Sequence, residues 1–132
     1  MKEHYVGGKK DKIEVIVTVP SLDTPICSME ARTFNDRVSK LKNVELTVIS
    51  MDLPFASKRY CGAHGIKNII VASDFQEKNF GKSYGVLLDD SILKGILART
   101  IFIIKDGVVT YKQIVPEIAQ HPDYDEVFKH IQ

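Results

Sequence analysis

The chain has 132 residues, 44% hydrophobic and 27% charged, a balance that supports one folded domain with its own core and argues against disorder. Its formal net charge of +1 offers no basic stripe for a nucleic acid. No window of about 18 apolar residues exists to span a membrane, and residues 1–12 lack the apolar stretch of a secretory signal, so the reading is a cytoplasmic protein with no membrane partner.

Lys9, Lys10 and Lys12, interrupted by Asp11, read as a solvated turn. Residues 13–19, I-E-V-I-V-T-V, are β-branched and nearly continuous, which predicts a strand buried on both faces and ended by Pro20. Residues 25–41 place Ile26, Met29, Phe34, Val38 and Leu41 on roughly one helical face. Asp23 or Thr24 can cap that helix, and Pro25 suits its first position.

Residues 44–50 read as a second strand. A second helix is expected from Asp52-Leu53-Pro54, with Asp52 as its cap, to about Cys61, with Gly62 as its stop. Residues 69–72 form a third strand, and 75–84 hold a short helix ended by Gly85. Residues 100–104 and 108–114 flank Asp106-Gly107, a hairpin signal. Residues 123–131 close the chain as a helix.

The order β-α-β-α-β-(α)-β-β-α implies parallel pairing early and an antiparallel edge late. The fold class is α/β, a thioredoxin-like three-layer α/β/α sandwich with a mixed central sheet, in a single domain over residues 1–132.

Two cysteines, Cys27 and Cys61, are present. Neither C-x-x-C nor H-x-x-x-H spacing occurs, so no zinc site is expected. Cys27 falls in the first turn of the first helix, where backbone N–H groups are unpaired and the macrodipole is positive. That setting favours the thiolate, which is the nucleophile. Pro20 can shield one side of the pocket. The Thr24 hydroxyl can reach the sulfur or a bound peroxide oxygen. Arg99, just before the strand at Thr100, is the best candidate for a cation there. On physics alone, Cys27 is as readily a small buried hydrophobe as a nucleophile, and Cys61 alone reads as a structural thiol. Together they offer a cycle in which Cys27 becomes a sulfenic acid and Cys61 condenses with it. A bridge needs Cα atoms within about 7 Å, so local unwinding is expected between the two forms.

Pro20 to Cys27 reads P-S-L-D-T-P-I-C, which resembles the P-x-x-x-T-x-x-C motif of peroxiredoxins. D-L-P-F-A (52–56), K-R-Y-C-G-A (58–63), S-D-F (73–75), F-G-K-S-Y-G-V (80–86), L-A-R-T-I-F (97–102) and H-P-D-Y-D (121–125) extend the likeness over nearly the whole chain. Together they resemble the bacterial thiol peroxidase group, the atypical two-cysteine peroxiredoxins. The resemblance implies that Cys27 is peroxidatic and Cys61 resolving, with Thr24 and Arg99 activating and Pro20 shielding. It implies hydrogen peroxide and organic hydroperoxides as substrates and thioredoxin as reductant, with no metal, haem or flavin. Members of the group usually carry a longer segment before the first strand. Its shortening here would leave an exposed sheet edge or uncovered apolar surface. The rival functions are a non-catalytic redox sensor and an inactive fragment lacking the N-terminal strands.

The remaining residues read blandly. His4, His64, His121 and His130 are scattered surface or loop residues, and Asp89-Asp90 a solvated turn. Gly81 and Gly85 fit helix ends rather than a phosphate loop. Phe80 and Tyr84 read as core or homodimer contacts, and Phe55, Ile66 and Leu88 as core.

Overall fold

The run Ile13–Thr18 forms β1, and every residue in it from Glu14 onward is buried, as expected of a strand covered on both faces. The computed structural model describes residues 4–8, 10–89, 92–117 and 119–131; Lys9 and Asp90, singled out above, lie outside them. After β1 come α1 (Pro25–Val38), β2 (Val44–Ser50), α2 (Pro54–His64), β3 (Ile70–Ser73), α3 (Asn79–Ser83), β4 (Thr100–Lys105), β5 (Val108–Ile114) and α4 (Tyr124–Ile131).

The five strands make one mixed sheet in the order β3-β2-β1-β4-β5. β1 pairs parallel with β2, and β2 with β3. β4 runs antiparallel to both β1 and β5. Asp106 and Gly107 take φ of 54° and 80°, the backbone that a two-residue hairpin demands.

Alternation along β1 splits the core in two. Val15 and Val17 join Phe34 and Ala31 of α1, Tyr60 of α2, and Val127 and Phe128 of α4. Ile16 faces the other side, with Phe80, Val86, Leu97 and Phe102, and Val6 packs against that cluster. Each fully buried side chain of this size contributes roughly 1.5–3 kcal/mol. One face is thus covered by α1, α2 and α4. The other is covered more thinly, by α3, by Val86, Leu87 and Leu97, and by the segment around Val6.

Several boundaries differ from the sequence expectation. α1 stops at Val38, and Leu41 packs against the core from the turn that follows. α2 passes through Gly62, which is helical, and ends at Gly65, whose φ of 64° is the left-handed conformation that commonly closes a helix. Asp52 does not cap α2, whose N-cap is Leu53. α3 is shorter than expected because Lys78 is left-handed at φ 58°. Phe55 is no core residue; it is 70% exposed. Residues 86–88 pair antiparallel with residues 96–98, which the sequence did not lead us to expect: Ala98 N–H donates to Val86 O at 2.8 Å and Leu88 N–H to Ile96 O at 2.9 Å. Among the described residues, no helix is long and apolar enough to cross a membrane.

Candidate active site

Thr24 enters α1 with extended backbone, φ −97° and ψ 148°, and Pro25 follows in the first turn. Cys27 is therefore the third residue of the helix, in the turn whose amides have no intrahelical acceptor. Its side chain is wholly buried, and both cysteines are free thiols.

Arg99, immediately before β4, reaches it from the sheet beneath α1. Nη1 of Arg99 donates to Cys27 Sγ at 3.2 Å and to Glu30 Oε1 at 2.6 Å. Arg99 is only 2% exposed. Burial works against its charge, but the Glu30 hydrogen bond and the charges of Cys27 and Glu30 outweigh this and hold it above its ordinary value. A buried guanidinium at hydrogen-bond distance is a charged donor aimed at the sulfur.

The position of Arg99 follows from the backbone on either side. Thr18 Oγ1, at the end of β1, donates to Ala98 O at 2.7 Å. It also accepts from Thr100 N–H at 3.1 Å and is hydrogen-bonded to the Thr100 hydroxyl. Arg99 O accepts from Val115 N–H at 3.0 Å. The peptide carrying Arg99 is thus clamped between β1 and the end of β5.

Glu30 escaped the sequence reading. It is 0% exposed, and burial pushes its carboxyl up to about 7 despite the hydrogen bond and charge of Arg99, which pull it down. Its Oε2 has no hydrogen-bond partner among the described residues. The available signal was spacing: Glu30 lies three residues after Cys27, on the same helical face. Tyr124 of α4, packed edge-on to Phe34 at 5.3 Å, completes this wall. Its phenol is pushed up to about 12 by burial first and then by the charge of Glu30.

The loop before α1 is held by Asp52, which accepts from Ser21 Oγ at 2.7 Å, Leu22 N–H at 2.7 Å and Ser50 Oγ at 2.8 Å. Thr24 Oγ1 donates to Ser21 O at 2.9 Å, which leaves its lone pairs to accept from a ligand. Pro20, Thr24, Pro25, Ile26, Arg99 and Ala119 line a largely apolar cleft of about 350 Å³. Of the five residues singled out from sequence, Pro20, Thr24 and Arg99 line this cleft, and Cys27 is joined to it by the hydrogen bond from Arg99. The fifth, Cys61, is the eighth of the eleven residues of α2. It packs against the same core cluster as Cys27, and burial pushes its thiol up.

A wider, more polar cleft of about 570 Å³ lies at the opposite end of the strands, lined by Lys10, Asp11, Lys12, Glu45 and Asp106. Neither cysteine lines it. Among the described residues, no group of three or more His, Cys, Asp or Glu side chains could hold a metal ion.

Comparison with known proteins gives the chain's family. The Redoxin family model matches residues 5–128. The thiol peroxidase of Aquifex aeolicus is 54% identical over 128 residues, covering 96% of this chain and 75% of that protein. The thiol peroxidase of Campylobacter jejuni is 52% identical over 116 residues, covering 88% of this chain and 66% of that one. The crystal structure of a peroxiredoxin-like protein from Aquifex aeolicus superposes with a TM-score of 0.95 at 52% identity, covering 98% of this chain and 76% of that chain.

Proposed function

The chain belongs to the redoxin family and, within it, to the thiol peroxidases, enzymes of the peroxiredoxin type; from that premise we propose that Cys27 reduces hydroperoxides and that Cys61 resolves the product as an intramolecular disulfide. The observation that carries the assignment of Cys27 is the 3.2 Å hydrogen bond from Arg99 to its sulfur at the first turn of α1.

A hydroperoxide enters the cleft with its O–H directed at the Thr24 hydroxyl, which accepts it. The Cys27 thiolate attacks the terminal oxygen. The S–O bond forms as the O–O bond breaks, and the leaving alkoxide takes a proton to become an alcohol, or water when the substrate is hydrogen peroxide. Arg99 is placed to stabilise the negative charge on sulfur and then on the departing oxygen, the kind of pre-aimed donor that supplies much of catalysis. Pro20, Pro25 and Ile26 keep water from the sulfur. The Cys61 sulfur then attacks the sulfenic acid, forming the Cys27–Cys61 disulfide and releasing water. A dithiol reductant, thioredoxin, returns both thiols by exchange. The apolar lining of the cleft supports organic hydroperoxides beside hydrogen peroxide as substrates.

The test is a coupled assay of hydroperoxide-dependent thioredoxin oxidation, with cumene hydroperoxide and hydrogen peroxide in parallel. The wild-type chain is expected to turn over, and Cys27→Ser to be inactive with both. Equal activity in Cys27→Ser would overturn the assignment.

A further inference from the structure

α2 is a lightly held helix. Of its eleven residues only Ser57 and Tyr60 are buried. The Tyr60 hydroxyl donates to the backbone carbonyl of Ser28 at 2.8 Å and accepts from Ser28 Oγ at 3.2 Å. Tyr60 directly precedes Cys61, and Ser28 directly follows Cys27. This two-way hydrogen bond therefore ties the two helices together one residue away from each cysteine.

That position bears on the chemistry. Cys61 lies within the helix, and Gly65 closes α2 a turn later. Any movement of Cys61 toward the oxidised Cys27 sulfur displaces its neighbour Tyr60, whose two bonds to Ser28 resist it. We infer that Tyr60 is a latch on the resolving step: its bond to Ser28 sets how often α2 opens, and so how long the Cys27 sulfenic acid waits. Burial raises the Tyr60 phenol above its ordinary value against the pull of the Ser28 hydrogen bond and the Arg32 charge, and Cys61 and Cys27 add to the rise.

The wait has a chemical consequence. In the resolving branch, the Cys27 sulfenic acid and the Cys61 thiol give the disulfide and water. In the competing branch, the sulfenic acid takes an oxygen from a second hydroperoxide, giving a sulfinic acid and an alcohol. A latch that holds α2 shut lengthens exposure to the second branch. It makes Tyr60 a positioning residue for the proposed peroxidase cycle, on which this inference rests.

Tyr60→Phe keeps the ring in the core and removes only the hydroxyl. With the reduced protein mixed with cumene hydroperoxide, quenched and weighed intact, disulfide formation is expected to be roughly fivefold faster than in the wild type, the factor that loss of one or two net hydrogen bonds gives. In excess hydroperoxide the sulfinic fraction of Tyr60→Phe should fall correspondingly. Ser28→Ala, which removes one of the two bonds, should lie between. A Tyr60→Phe protein with a lower melting temperature but an unchanged ratio of disulfide to sulfinic acid would overturn the latch and leave Tyr60 a packing residue. A wild-type chain whose Cys27 is not oxidised at all would remove the peroxidase cycle, and the latch with it.

Discussion

Nη1 of Arg99 stands 2.6 Å from Oε1 of Glu30, with the two side chains 1% and 0% exposed. The same nitrogen is 3.2 Å from Cys27 Sγ. The guanidinium is therefore shared between the Glu30 carboxyl and the Cys27 sulfur. Glu30 and Cys27 lie on one helix, while Arg99 comes from the start of β4, so the site exists only when the α1 layer and the sheet are packed together.

Arg99→Lys tests the shared geometry. An ammonium carries the charge but lacks the planar fork, so it cannot serve both partners with the same aim. Loss of one pre-aimed donor typically costs about 10²–10³ in rate. The expected result is a fall of that order in kcat/KM for both hydroperoxides, with a melting temperature lowered by only a few degrees. Undiminished kcat/KM in Arg99→Lys would mean that charge alone suffices and the fork has no role.

Glu30 makes a pH-dependent prediction. Its ordinary carboxyl value is 4.5, and burial raises it to about 7 in the folded chain. Between those values the folded protein keeps a proton that the unfolded chain has released. Stability from this group is therefore complete below about 4.5 and is lost as the pH rises through about 7, by on the order of 3 kcal/mol in all. Glu30→Gln has no such proton to lose. Urea midpoints at pH 5 and pH 8 should show the wild type losing more stability than Glu30→Gln over that interval. Parallel curves for the two proteins would show that Glu30 is ionised across the whole range.

How much of this could be read in the sequence depended on range. The buried strand β1, the Asp106-Gly107 hairpin and the placement of Cys27 in the first helical turn rest on local patterns, and all three are present. Arg99 was legible because it stands beside a strand start that the pattern located. Glu30 was not, because a single acid on an otherwise buried helical face looks like any exposed helix residue until a partner 69 positions away is known. The pairing of residues 86–88 with 96–98 was missed for a similar reason. It is brief, and no Asn-Gly or Asp-Gly announces it. Asp52 was misread as a helix cap, since Asp before Leu-Pro fits a cap equally well, and only the tertiary fold brings Ser21 to it.

Asp52→Asn follows from that correction. The carboxylate accepts three hydrogen bonds that join the end of β2 to the loop carrying Pro20 and Thr24. An amide keeps one acceptor oxygen and presents an NH₂ where the other stood, facing donors. The expected loss is about 1–3 kcal/mol of stability, with a fall in kcat/KM larger than that of a surface control such as Asp36→Asn. A stability loss with kcat/KM intact would show that the loop holds its geometry without Asp52.

Cys61 supplies the last test, through its own protonation. Burial raises the Cys61 thiol above its ordinary value of 9.0, so near neutral pH only a small fraction of Cys61 is the thiolate that attacks a sulfenic acid. Raising the pH increases that fraction. After a single equivalent of hydroperoxide, the rate of disulfide formation in the wild type should climb steadily from pH 7 to pH 9, about tenfold per pH unit while the thiol stays mostly protonated. Cys61→Ser should complete the first turnover at the wild-type rate, accumulate the sulfenic acid and form no intramolecular disulfide at any pH. Its steady-state turnover with thioredoxin should collapse. If the wild-type disulfide rate were flat across this range, thiolate attack by Cys61 would not limit resolution, and the opening of α2 would be the slow step at every pH. If Cys61→Ser turned over with thioredoxin as fast as the wild type, Cys61 would have no part in the cycle.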